Sequence, residues 1–594
     1  MRYTHGPRAL PHGGACFRLW APSVPALGLV LDDGAPHPMQ RGADGWHELE
    51  VPDAAEGVHY GFRLPDGRVV PDPASRRQPN NVHGLSEWID TARLRFTVPW
   101  HGRRWEEIVL YELHVGAFTA EGTFRGAIER LDHLAGLGVT ALQIMPVADF
   151  PGLRNWGYDG VYPYAPDASY GTPADFAALV DAAHARGLAV FLDVVYNHFG
   201  PEGNYLHSYA PQFFTERHHT PWGAGINVDD PQARPVRDFF VENAVFWLRE
   251  YRLDGLRLDA VHAIADDSAL HLLNEIAARV REVVTERPVH LVLENEDNEA
   301  RHLARTTNGA PAAYTAQWND DIHHVLHVAA TREHASYYEE YLDDTRLTAR
   351  AIGEGFAFQG EVMRCRGRPR GEDSKALPPA AFVSFIQNHD QVGNRAFGER
   401  LGALAAPEKL RAVAAVYLLA PQIPMLFMGE EWNARQPFLF FCDFHGELAD
   451  AVRNGRRAEF RKFPEFSDPA RRDLIPDPQD PVTFQSSKLH WDDRRLPECA
   501  EWLRWYSRVL ATRRQQVVPL IFDIKSAGTS HVVGTNAVFV SWRTMQGNHL
   551  RLSANLSDQP QAFPLDRGRV IWHEGGAPAG NTLPPWTVRW TRVD

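Results

Sequence analysis

GLRLDAVHA, from Gly255 to Ala263, sets an arginine and an aspartate two residues apart in a run of Leu, Ala and Val. Alternate side chains of a strand share a face, so Arg257 and Asp259 point one way while Leu256 and Leu258 point the other. Burying such a pair is costly unless a site uses it; read alone, it fits a structural ion pair equally well. The neighbouring sequence gives the fold. From about Ile108 onward, apolar strand-length runs alternate with helix-length amphipathic segments: IVLYELH, VTALQIMPV, LAVFLDVV, GLRLDAV, VHLVLEN, YTAQWND, AAFVSFIQNHD and QIPMLFMGEE. Strands apolar on both faces and separated by helices mean a parallel sheet covered on both sides, and eight of them mean a (β/α)8, or TIM, barrel. The intervening helices carry clear boundaries. TPADFAALVDAAHARG offers Thr172 as N-cap, Pro173 in the first turn, Asp175 three residues after the cap and Gly187 at its end. TFRGAIERLDHLAGLG sets Phe124, Ile128, Leu131 and Leu134 on one face and stops at glycine.

The two ends of the chain read differently. CFRLWAP, ALGLVLDDG, WHELEVP and VHYGFRLPDGRVV alternate apolar and polar residues between Asp-Gly turns, which predicts an N-terminal β-sandwich. VPDPASRRQPNNVHG is a Pro- and Asn-rich linker. NAVFVSWRT, HLRLSANLS, GRVIWHE and TVRWTRV predict a smaller C-terminal all-β domain. The expected division is a carbohydrate-binding-like sandwich at 1–90, the barrel with its linker and inserted loops at 91–510, and the all-β domain at 511–594.

Composition narrows the function. A chain of 594 residues is too long for a single core, and its net charge of −14 argues against a nucleic-acid or anionic-membrane partner. The dense basic run RCRGRPRGEDSK (Arg364 to Lys375) ends in acids and reads as a solvated loop. Cys16, Cys365, Cys442 and Cys499 have no paired spacing, so neither a disulfide framework nor a zinc site is expected, and a reducing cytoplasm is. The N-terminal residues show no export signal, and AVAAVYLLAPQIPMLFM, broken by Pro421 and Pro424, reads as a buried helix followed by a strand. Trp is counted at 17, enough for both core packing and flat platforms against pyranose rings.

Function in such a barrel sits at the C-terminal ends of the strands. FLDVVYNH brings Asp193, Asn197 and His198 there; GLRLDAVH brings Arg257, Asp259 and His262; LVLEN brings Glu294; FIQNHD brings His389 and Asp390. Any one acid could simply cap the next helix, but carboxylates, histidines and an arginine converging on one mouth read as a catalytic set. With no plausible Ser or Cys nucleophile, paired carboxylates point to glycoside chemistry. Asp259 and Glu294 end neighbouring strands, about 4.8 Å apart, close to the roughly 5–5.5 Å of retaining glycosidases. Arg257 would keep Asp259 ionised and nucleophilic, while Glu294, facing other carboxylates, would hold a proton to donate. Glu296, two residues on, competes for the acid role.

DVVYNH, GLRLDAVH, LENE and QNHD resemble the four conserved regions of the α-amylase superfamily, in the family's order across the barrel. The resemblance covers most of the chain, since these enzymes often add an N-terminal sandwich and a C-terminal β domain. It implies Asp259 as nucleophile, Glu294 as acid/base and Asp390 as a third carboxylate holding sugar hydroxyls. His198 and His389 would hydrogen-bond the sugar at the cleavage point, and Tyr158 of NWGYDG would stack beneath it. Within the superfamily, QIMPVADFPGLRNWGYDGVYPYAPDASYGTP, TPWGAGINVDD, AQWNDDIHHVLH, QNHDQVGNRAFGERL and MGEEWNARQPFLFFCDF are similar to the maltooligosyltrehalose trehalohydrolases. That implies hydrolysis of the α-1,4 bond beside a terminal trehalose, on a substrate made by a maltooligosyltrehalose synthase. Asp320 and Asp321 of WNDD, with Glu430 and Trp432 of EEW, would then form the acceptor side, unless they only cap helices. Branching enzymes share the sandwich and WGYDG-like segments, and a general α-amylase fits the same donor site. A non-catalytic amylase-like protein would have lost one of the three acids. A metal-dependent hydrolase would need histidines paired at i, i+4, and the adjacent pairs of ERHHTP and IHHVLH, His218–His219 and His323–His324, are not so spaced. Calcium-binding amylases use the asparagine at the position of Asn197, but the segment from Phe199 to Val228 is short for a full site. No cofactor or metal is therefore expected.

Overall fold

A computed structural model describes residues 3–32, 34–220, 223–564 and 568–594; Pro221 and Trp222 of TPWGAGINVDD lie outside it. Eight parallel strands form a closed barrel. They are β1 (Leu110–Leu113), β2 (Ala141–Ile144), β3 (Ala189–Val194), β4 (Gly255–Leu258), β5 (His290–Leu293), β6 (Ala316–Trp318), β7 (Phe382–Ser384) and β8 (Ile423–Phe427). Each lies within one of the apolar runs that predicted it, in the same order, and β8 returns to pair with β1. Every residue of β1 to β5 is buried, as strands covered on both faces must be. Gly255 opens β4 because a Cβ there would come within 2.2 Å of the Phe191 ring and 2.5 Å of the His290 carbonyl.

Register aligns the strand ends. Asp193 lies opposite Arg257, and Leu258 opposite Leu293. The ladder continues one step beyond the strands: the Asp259 N–H donates to Val194 O and the Glu294 N–H to Leu258 O, both at 3.0 Å. Asp259 and Glu294 therefore leave adjoining strands at one level. The helix Pro173–Ala185 has the expected reciprocal cap between Thr172 and Asp175. The segment expected as one helix before Gly138 is two, Phe124–Ile128 and Leu131–Leu137, interrupted at Glu129 and Arg130; Gly138 ends the second in the left-handed region at φ 107°.

The N-terminal strands form two antiparallel sheets, one built on Ala15–Trp20 and Trp46–Val51 and the other on Gly28–Leu31 and His59–Arg63. Arg76 fixes them to the barrel, its guanidinium lying 4.1 Å from the Tyr164 ring and 4.5 Å from Phe246. The C-terminal sheet has five strands; its Thr529–Gly534, with few apolar residues, joins those expected from sequence. The Trp590 indole in this sheet donates to Ala415 O at 2.9 Å, docking it on the barrel helix Pro407–Leu419. Among the described residues, no helix is long and apolar enough to cross a membrane, and all four cysteines are unpaired.

Candidate active site

Arg257 is the hub. Its side chain is 1% exposed, and the Trp318 ring lies 4.2 Å from its guanidinium. Nη1 donates to both oxygens of Asp193, at 2.9 and 2.7 Å, and to Asp259 Oδ1 at 2.8 Å. Nη2 pairs with Glu294 Oε2 at 2.7 Å. A buried cation is tolerable when anions surround it, and here one arginine serves three carboxylates. Sequence set Arg257 beside Asp259; the structure adds Asp193 and Glu294 as partners.

The three respond differently to this shared partner. Burial raises the Asp259 pKa, but Arg257 and then the Asn197 amide, 3.0 Å from Oδ2, pull it below the ordinary value. Burial lifts Glu294 well above the usual carboxyl range; Arg257 opposes this, but Asp259, Asp390 and Asp320 add to it. Asp193, wholly enclosed, is pushed up to about 6 by burial despite Arg257. Asp390 is raised by burial, with Asp259 and Glu112 adding to that against the pull of His389 and Arg257. Just after Asp259 the backbone turns into the left-handed region at Ala260, φ 40°, which points the Ala260 N–H at Glu294 Oε2, 2.9 Å away. Strain at a non-glycine residue next to the two acids marks a working site.

These residues open on a cleft of about 840 Å³, lined by Tyr158, His198, Arg257, Asp259, His262, Glu294, Asp320, His389 and Asp390. Asp193 and Asn197 sit behind this wall. Tyr158 donates to Asp193 at 2.8 Å, and its ring stacks on His389; His198 Nε2 lies 3.0 Å from the Tyr158 carbonyl. Asn197 gives its amide to the Asp259 carbonyl at 2.8 Å as well as to its side chain. His262 lies 3.7 Å from Glu296, whose side chain is 55% exposed.

Three expected acceptor-side residues are elsewhere. Asp321 is wholly buried and bonded to Arg370, Tyr341, Asn298 and the Ala357 N–H. Glu430 is enclosed by Tyr417, Tyr506 and Gln387, and burial pushes its pKa up to about 7. Trp432 is wholly buried against Trp491 and His133. Each satisfies a polar or aromatic partner brought from far along the chain. Asp320 does face the cleft, its pKa raised to about 7 by burial, with Arg370 opposing and Asp390 adding.

The run Arg364 to Lys375 departs from expectation in part. Most of it is exposed, as expected, but Arg366 lines the cleft, paired with Glu296 and Asp297, and Arg370 is buried on Asp321 at 2.5 Å. Other cleft residues went unread in the sequence. Tyr337, Phe440, Phe460 and Phe463 supply the aromatic walls expected of Trp432. Behind the cleft wall, Glu112, the third residue of β1, bonds His389. Its signal was the one Arg257 gave, a charge inside an apolar strand, in LYEL.

A closed parallel barrel with an N-terminal sandwich, and one arginine gathering acids at its strand ends, defines a glycoside hydrolase of the α-amylase class. The alpha amylase catalytic-domain family matches residues 90–244, and a domain of unknown function, DUF3459, matches residues 525–590. Malto-oligosyltrehalose trehalohydrolase of Deinococcus radiodurans is 44% identical over 517 residues, covering 86% of this chain and 83% of that enzyme. The enzyme of that name from Arthrobacter ramosus is 43% identical over 566 residues, covering 93% and 95%. A crystal structure from Salmonella typhimurium superposes with a TM-score of 0.96 at 44% identity over the whole of both chains. A 1,4-alpha-glucan branching enzyme of Bradyrhizobium diazoefficiens is 34% identical over 272 residues, only 42% of this chain and 37% of that enzyme. The chain belongs to the malto-oligosyltrehalose trehalohydrolase family.

Proposed function

We propose that the protein cleaves the α-1,4-glucosidic bond next to the trehalose end of maltooligosyltrehalose, with retention, releasing trehalose and a maltooligosaccharide. The observation that carries this reading is Arg257 holding Asp259 and Glu294 at one level with pKa values driven apart. Glu294 takes two donors on Oε2, from Arg257 and Ala260, so its proton sits on Oε1. That proton goes to the glycosidic oxygen as Asp259 attacks the anomeric carbon. The trehalose leaves with an intact hydroxyl, and a covalent glycosyl–enzyme remains. Glu294, now an anion, takes a proton from water, and the resulting attack frees Asp259. Asp390 holds the hydroxyls of the donor sugar, Tyr158 stacks beneath it, and His198 bonds beside it. Glu294 is preferred to Glu296 as the acid because it shares Arg257 with the nucleophile, whereas Glu296 is paired with Arg366.

Selectivity for the trehalose end falls to the acceptor wall of Asp320, Tyr337, Glu296 and Arg366. A site whose own polar groups pair with particular hydroxyls rejects sugars that leave them unpaired. A trehalose-capped glucan needs a maltooligosyltrehalose synthase to make it, and we take that enzyme as the functional partner. A cytoplasmic location fits four unpaired cysteines. Purified protein should be given maltooligosyltrehalose and plain maltooligosaccharide in parallel, with products separated by chromatography. Free trehalose is expected, with kcat/KM on the plain chain lower by at least about tenfold, roughly 1.4 kcal/mol. Equal rates would mean a general amylase, and new α-1,6 branches a branching enzyme.

A further inference from the structure

His389 sits between two oxygen atoms that each need a proton from it. Glu112, wholly buried near the end of β1, accepts twice from this residue: Oε1 from ring Nδ1 at 2.7 Å, and Oε2 from the main-chain N–H at 2.8 Å. On the other side, Nε2 lies 2.8 Å from the Tyr158 hydroxyl. That hydroxyl has one proton, and it goes to Asp193, 2.8 Å away, whose oxygens also take Arg257. The phenol oxygen can therefore only accept from His389. A neutral imidazole has one N–H; this pattern of partners uses two.

We propose that Glu112 is a positioning residue that holds His389 as an imidazolium, making it the second fixed cation of the active site beside Arg257. The inference rests on the barrel mouth being the catalytic site. The cation matters because Asp193, Asp259 and Glu294 share one guanidinium, and Asp390 adds a fourth carboxyl within reach of its charge. With His389 charged against Asp390, Asp259 can stay an anion while Glu294 keeps the proton. The groups facing the ring from each side are Glu112 and His114 near β1, Tyr158 after β2, Asp193 on β3, Arg257 on β4 and Asp390 on its own turn. Trp156 meets the ring edge-on at 5.5 Å, and Trp318 lies 6.0 Å away. Burial lowers the His389 pKa, but the Glu112 charge and hydrogen bond, followed by Asp390, bring it above the ordinary value. Glu112→Gln keeps the shape and removes the anion.

The direct test is nitrogen NMR of the whole protein with labelled histidine. At pH 7.5 the histidine spectrum should contain a signal with both ring nitrogens protonated that is absent from His389→Asn. In Glu112→Gln it should titrate at least about one pH unit lower, because an opposite charge in contact favours the charged form. If activity needs the cation, the alkaline limb of kcat/KM moves to lower pH in the same variant, with KM changing less than kcat. Should Glu112→Gln fail to fold, Tyr158→Phe removes the other acceptor and must move the titration the same way. A singly protonated His389 in the unaltered protein at pH 7.5 overturns the proposal; so does a titration unmoved by either variant. The NMR reading does not depend on turnover, so it separates this inference from the functional one, which fails instead if Asp259→Ala stays active.

Discussion

Glu294→Gln keeps both donors on its side chain, Arg257 and the Ala260 N–H, and removes only the proton that ionises. Turnover should fall by roughly 10³-fold, as it should for Asp259→Ala and Asp390→Asn, since the proposed mechanism has each group act in the transition state. Steady-state rates check this, and near wild-type activity in any one variant would remove that residue from the mechanism. Stability should move the opposite way. The folded Glu294 pKa lies above its unfolded value, so above about pH 4.5 the unfolded chain releases a proton that the folded one retains. Stability is thus lost as pH rises toward the folded pKa, and glutamine avoids that loss. Thermal scans at pH 7.5 should show Glu294→Gln melting higher by roughly 1–4 °C, with the difference gone near pH 4. A lower melting point at pH 7.5 would contradict the raised pKa. Asp259 and Arg257 were legible because charges stand out in an apolar strand. Glu112 gave the same signal, yet its partner His389 lies 277 residues on, and nothing local joins the two.

The hairpin of Val362–Met363 and Arg368–Pro369 carries two arginines with different duties. Arg370 neutralises Asp321 where both are buried, so Arg370→Ala leaves an uncompensated anion and should destabilise by about 3–5 kcal/mol. Arg366 reaches Glu296 at the cleft edge. Arg366→Ala should fold normally and raise KM for maltooligosyltrehalose by about tenfold, with a smaller effect on plain maltooligosaccharide. Denaturant unfolding and paired kinetics separate the two duties; equal destabilisation by both would refute the division. Arg366 and Arg370 were misread because their counter-charges, Glu296, Asp297 and Asp321, lie between 49 and 70 residues earlier. Strands were read more reliably than loops. Burial on both faces leaves an unbroken apolar run, whereas a loop's partners follow from tertiary packing alone.

At the scale of the whole molecule, sandwich, barrel and C-terminal sheet form a frame around one barrel mouth. Asn197 donates its amide to Asp259 and turns its oxygen to His198, contacts that already give it a structural role. Among the described residues, the group of His218, Asp229 and Asp267 comes near a ligand set, but Arg217 already pairs with both acids. Turnover should therefore survive dialysis against EDTA, and activity lost there and restored by calcium would show a metal requirement. The barrel's neighbouring strands, finally, make the central claim measurable. With Asp259 as nucleophile and Glu294 beside it, the bond must break through a covalent intermediate and the configuration must be kept. Proton NMR during the first minutes on maltooligosyltrehalose should show the α-hemiacetal of the new reducing end rising together with free trehalose, and the β form appearing only later by mutarotation. A β signal that appears first would contradict the account.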